Sequence, residues 1–196
     1  MQGPVQYTFD HLRGALRLFR LDTGNFAWLD ASPQGVVRSF RVAVLVLPLW
    51  LLTIRNEILS NTTDYYGPAV FTILAFTYVI SWTLGPVVMW EIARLFDRQA
   101  YWCRHVAVSN WADFWVRVLP LPINIALWQR APEDPVGMDV SFLILLLTYF
   151  FAGYLLVKTM EFRVPVAVAL TFCLFIMGIA YSMVIMSLLR PFMLMG

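Results

Sequence analysis

Residues 164–189, VPVAVALTFCLFIMGIAYSMVIMSLL, run for 26 positions without one Asp, Glu, Lys or Arg. About 20 predominantly apolar residues suffice for a helix to cross a hydrocarbon core of about 30 Å. This stretch therefore predicts a membrane-spanning helix, and similar stretches recur upstream. They cover about 36–59, 68–96, 105–128 and 140–157; the third is the least apolar and the most interrupted. Of 196 residues, 60% are hydrophobic and only 13% charged, with a mean hydropathy of +0.70. Soluble domains keep roughly a quarter of their residues charged. The reading is an all-α, polytopic membrane protein of five transmembrane helices: residues 1–35 form a cytoplasmic segment and residues 36–196 one membrane domain. The first 35 residues hold no long apolar run, so no cleavable signal peptide is expected.

Basic residues set the orientation. Ten Lys and Arg fall on the N-terminal side of alternating loops and three on the other, with Arg117 inside the third span. The N-terminus is thus expected in the cytoplasm and the C-terminus outside, in the periplasm. Thirteen Arg against one Lys suggest a GC-rich, bacterial genome and hence an inner membrane. Trp28, Trp50, Trp90, Trp102, Trp111 and Trp128 fall near span ends, where aromatic belts form. Trp82 and Trp115 are expected between helices.

The segment DHLRGALRLFRL (10–21) reads as an amphipathic helix. Leu12, Ala15, Leu16 and Phe19 share one face, and Arg13, Arg17 and Arg20 form a neighbouring basic stripe. The expectation is an interfacial helix with its Arg residues toward anionic lipid headgroups. It serves either as an anchor orienting the first span or as a docking surface for a partner. Gly24-Asn25 is expected to end it, and Ser32-Pro33 to cap the first span.

Ionisable groups within a membrane raise a functional hypothesis. Glu91 and Arg94 stand three apart, Asp113 and Arg117 four apart, so each pair shares a helix face and neutralises itself. The pairs flank the loop DRQAYWCRH, and Asn110 lies beside the second. Together they form a candidate intramembrane polar cluster: either interhelical ties or a polar cavity open to the cytoplasm. Pro48, Pro86, Pro120 and Pro122 are expected to kink or unwind their helices.

Catalytic and cofactor signatures are missing. His11 and His105 are far apart, no His/Cys/carboxylate cluster has metal-ligand spacing, and neither a GxSxG elbow nor a phosphate-binding glycine loop occurs. No cofactor, metal or nucleic acid is expected, and Cys103 and Cys173 are not expected to pair. Gly178 and Ser182 make a small-xxx-small step suited to close helix approach.

The stretch TDYYGPAVFTILAF (63–76) resembles the Asp-x-x-Gly-Pro motif of the Yip family of Rab-interacting membrane proteins, with Asp64, Gly67 and Pro68 as its members. The resemblance implies five spans and a cytoplasmic N-terminus; here the motif follows the first span, whereas in the family it precedes it. GALRLFRLDTGNFAWLDASPQGVVRSF (14–40) and YVISWTLGPVVMWEIARLF (78–96), leading to SNWADF (109–114), are similar to small uncharacterised membrane proteins of alphaproteobacteria, loosely Yip-like. That likeness covers roughly residues 12–130 and implies location and topology without an activity.

Three functions follow for testing. The leading one is a non-enzymatic inner-membrane scaffold or accessory subunit, contacting membrane lipids and a membrane-protein partner or further copies of itself. The alternative is a small transporter or channel subunit with a cytoplasm-facing polar cavity. A membrane enzyme, using Asp113 or His105, comes third.

Overall fold

A computed structural model describes residues 3–61, 68–128 and 134–193, and among them the chain is helical with no strand. The order is α1 (Pro4–Leu18), α2 (Pro33–Ser39), α3 (Arg41–Asn61), α4 (Pro68–Leu95), α5 (Trp102–Val118), α6 (Leu121–Leu127), α7 (Pro135–Thr159) and α8 (Val164–Met193). Among the described residues, four stretches are long and apolar enough to cross a membrane: Pro33–Ile54, Pro68–Leu95, Pro135–Thr159 and Val164–Arg190.

Local chemistry explains most boundaries. Ser32 caps α2 as expected, its hydroxyl accepting from the Gly35 amide at 3.0 Å with Pro33 in the first turn. Asp134 does the same for α7, accepting from the Val136 amide at 3.0 Å. The first span divides at Phe40, where a tighter turn bonds the Ala43 amide to the Phe40 carbonyl at 3.0 Å. The stretch expected as the third span also divides, α5 stopping at Val118 and α6 starting at Leu121. It is not among the four apolar stretches: Pro120 and Pro122 break it, and His105, Asn110, Asp113 and Arg117 dilute its apolar content. Pro48 and Pro86 behave otherwise. α3 and α4 stay helical through them, so the expected unwinding does not occur there.

α5 is the hub of the bundle. α1, α2, α3, α4 and α7 all pack on it, while α8 lies against α7 and α4. Its small residues Ala107 and Ala112 and its Val106 and Val108 are fully or almost fully buried, which lets so many neighbours approach. α5 packs along α7, and α6 comes near its other end. Arg104 bonds the Thr159 carbonyl at one end (2.8 Å), and at the other Leu127 faces Gly137.

α1 lies across this hub. Its first turn is held by Arg41, whose guanidinium donates to the Pro4 carbonyl at 3.3 Å. Its middle, at His11, rests on Trp111 (5.1 Å between rings), and just past its end Phe19 stacks on Phe151 of α7 at 4.3 Å. The helix starts earlier and ends earlier than the sequence suggested, at Leu18. Its buried face comprises His11, Gly14, Ala15 and Leu18, with Leu12 and Leu16 only half-buried. The shift follows from Gly14, where the missing side chain makes room for the Trp28 indole. Trp111, expected at a span end, is wholly buried beneath α1, whereas Trp82 is buried as expected.

Candidate functional site

The polar residues of α5 fall into two groups with different destinations. His105, Ser109, Asp113 and Arg117 recur every fourth position, so they form one stripe along a single helix face, about 18 Å long. That stripe borders a cavity of about 290 Å³ between α4, α5, α7 and α8, opposite Ser81, Gly85 and Pro86 of α4 and Thr148 of α7. Because Pro86 has no N–H, the Trp82 carbonyl one turn earlier loses its helical donor at the wall of this cavity.

Within the stripe each group has a defined state of pairing. His105 is 7% exposed, and its Nδ1 lies 2.7 Å from the Thr159 hydroxyl oxygen. The Thr159 hydroxyl donates to the Leu155 carbonyl at 2.7 Å, so its oxygen accepts and His105 carries its proton on Nδ1. Nε2 is then a lone-pair acceptor. Ser109 has no hydrogen-bond partner among the described residues. Arg117 donates through Nε to Asp113 at 2.6 Å, and its guanidinium lies 5.7 Å from the Trp82 ring centre. The pair is neutral as a unit.

The second group ties helices together. Asn110 donates to the Ser39 hydroxyl of α2 at 2.8 Å, and that hydroxyl donates to the Val36 carbonyl at 2.6 Å. Trp115 donates to the Leu12 carbonyl of α1 at 2.7 Å. Arg104 caps the end of α7 through the Thr159 carbonyl and pairs with Glu161 at 3.0 Å. The hydrogen bond from Arg104 leads, with one from Tyr101, in holding the Glu161 carboxyl below its ordinary range.

The structure does not assemble the expected four-charge cluster. Glu91 and Arg94 do form a pair, at 2.6 Å, but their side chains are 54% and 67% exposed and lie off the cavity. Glu91 sits four residues from the end of α4 and Asp113 eleven from the start of α5, so their depths differ by about 10 Å. Asn110 commits its amide to α2. His105 and Ser109 join the stripe instead, a membership legible in the sequence by extending the four-residue spacing back from Arg117 and Asp113.

Arg13, Arg17 and Arg20 are exposed and, with Leu16, line a shallow cleft of about 330 Å³; none has an ion-pair partner among the described residues. Behind them, α1 is fastened by a second network. Asp30 accepts from Tyr7 (3.3 Å), Arg38 (3.4 Å), and both the Ser32 amide (3.1 Å) and hydroxyl (2.6 Å). The hydrogen bonds from Ser32 lead in holding its carboxyl below the usual range. His11 Nε2 accepts the Asp30 amide at 3.2 Å while Nδ1 donates to the Tyr7 carbonyl at 2.8 Å. Burial pushes the His11 pKa down, keeping the neutral ring this arrangement requires.

Of the motif residues, Pro68 opens α4, and Asp64 and Gly67 lie outside the described residues. No three His, Cys, Asp or Glu side chains gather as a metal site among the described residues, and Cys103 and Cys173 are both free. Comparison with protein-family models, with curated proteins and with solved structures finds no match for the chain.

Proposed function

We propose that this chain is a non-enzymatic scaffold or accessory subunit of a bacterial inner membrane that binds other membrane proteins. In this reading the chain crosses five times, α5 and α6 forming a broken fifth crossing, with the N-terminus cytoplasmic and the C-terminus periplasmic. The contacts of Arg104 with Thr159 and of Leu127 with Gly137, at opposite ends of α7, support the fifth crossing. The ten-to-three bias of Lys and Arg supports the orientation. α1, with its apolar face docked and Arg13, Arg17 and Arg20 outward, fits a helix lying in the headgroup region. The Yip-like resemblance agrees with this topology and adds no activity.

One observation carries the scaffold reading. The polar side chains Arg104, Asn110 and Trp115 are spent on α7, α2 and α1, and Asp113 and Arg117 on each other. No charge in this group is left unpaired, and what the cavity wall leaves uncompensated is His105 Nε2, the Ser109 hydroxyl and the Trp82 carbonyl, while α4, α7 and α8 expose large apolar side chains such as Phe76, Leu147 and Met183. The experiment is native mass spectrometry of the tagged chain, extracted gently from its own membrane. A stoichiometric membrane-protein partner is expected; a homo-oligomer without any partner sinks the reading.

The cavity beside the His105–Arg117 stripe favours a second reading, a small transporter or channel subunit. It requires that Asp113→Asn assemble normally and lose solute flux. Normal flux through a correctly inserted variant removes it.

A further inference from the structure

Between α7 and α8 runs a second, larger concavity of about 680 Å³ that the scaffold and transport readings leave unused. It extends from Phe142 to Val157 along α7 and from Phe175 back to Val164 along α8, about 22 Å in all. Its lining is almost wholly apolar, and Gly153 keeps its floor low: a side chain there would press on the Thr171 hydroxyl.

The two ends of this groove differ in charge. At the α7–α8 turn, Lys158 and Arg163 each stand one residue from a lining valine, are exposed, and have no ion-pair partner among the described residues. The acid between them, Glu161, is already engaged by Arg104 and Arg98 at 3.0 and 3.9 Å. The opposite end approaches the exposed Asp139, three residues before Phe142. An apolar slot of this length, cationic at the turn and anionic at its foot, matches a molecule with long hydrocarbon chains and a negatively charged head.

We propose that the α7–α8 groove is a specific site for one anionic phospholipid, its acyl chains lying along Phe142–Val157 and its phosphate held by Lys158 and Arg163. Charge decides against a second copy of this chain as occupant. The turn belongs to the basic side of the sequence, so a parallel copy would bring cations to Lys158 and Arg163. The inference rests on the multi-pass architecture and is independent of the partner reading.

The test uses the full chain in nanodiscs of equal parts phosphatidylglycerol and phosphatidylcholine, followed by detergent release and native mass spectrometry. The wild type is expected to retain one phosphatidylglycerol in preference to phosphatidylcholine. In K158Q/R163Q that preference should fall roughly 25-fold, each surface cation contributing about fivefold. Both residues are exposed and unpaired, so thermal unfolding should not change. Val168→Trp, which fills the groove from an exposed lining position, should lower retention of both lipids. Equal preference in K158Q/R163Q and wild type overturns the site, as does loss that follows R13Q/R17Q/R20Q instead. A wild-type dimer without lipid, made monomeric by Val168→Trp, would overturn it by showing a copy in the groove.

Discussion

His11 and Asp30 are joined backward from the usual order: the imidazole accepts, and the Asp30 main-chain N–H donates, at 3.2 Å. The bond exists only while the ring is neutral, and it fastens α1 to the segment leading into the first span.

Acid should therefore loosen α1. Burial holds the folded His11 below its ordinary 6.5, so its contribution is present above that value and is lost as pH falls through the folded value. Asp30, also held low, adds a second loss only below its ordinary 3.8. Protection of the amides of residues 5–18, relative to their intrinsic exchange rates, should fall from pH 7 to 5. His11→Gln, which still accepts through its side-chain oxygen but does not titrate, should flatten that slope; an unchanged slope in the variant would refute the assignment.

Three glycines separate sharply. A Cβ at Gly35 would run into the Asp30 carbonyl, and one at Gly14 into the Trp28 indole, whereas nothing lies within 4 Å of one at Gly85. Gly35→Ala and Gly14→Ala should lower the melting temperature, Gly35 more because backbone cannot swing aside. Gly85→Ala should hold it or raise stability by about 0.5–1 kcal/mol, since alanine is the better helix former.

The Asp113–Arg117 pair should behave as a unit. Asp113→Asn leaves Arg117 without its carboxylate, and a loss on the order of 1 kcal/mol is expected for these partly exposed side chains. Arg117→Gln in the same chain should restore most of it. A double variant no better than the sum of the singles would show that the two act separately.

Ser39→Ala should cost more than the loss of one hydroxyl suggests. It leaves the buried Asn110 amide without its acceptor, a penalty of about 1–3 kcal/mol. Asn110→Ala keeps the Ser39 hydroxyl bonded to Val36 and should be milder. The thermal shifts of the two variants, measured side by side, check the order.

The long apolar runs and the Ser32-Pro33 cap were legible because each depends on neighbours in sequence. The break at Pro120 was legible for the same reason. Trp111 was not: its burial depends on α1, a hundred residues upstream, and a tryptophan near a span end looks alike whether it faces headgroups or a docked helix. Of the two outcomes expected at Pro86, kinking or unwinding, unwinding does not occur: α4 stays helical through a residue that weakens it locally. For the site, i,i+4 spacing found the Asp113–Arg117 pair, but depth separated it from Glu91–Arg94, and depth is set by tertiary packing. The carbonyl partner of Arg104 has no side-chain signature to read.

The seat of α1 also fixes an order of events during synthesis. Leu12 leaves the ribosome long before Trp115, its partner 103 positions later, has been made. Until α5 is threaded into place, α1 has no Trp111 to rest on, and its apolar face must be lodged elsewhere, with the bilayer surface the nearest apolar phase. α1, made before the other helices described, is therefore among the last to reach its final place, and a chain interrupted before residue 115 would display α1 undocked. Stalled chains of increasing length, probed by protease at residues 4–18, should become protected only once α5 is complete.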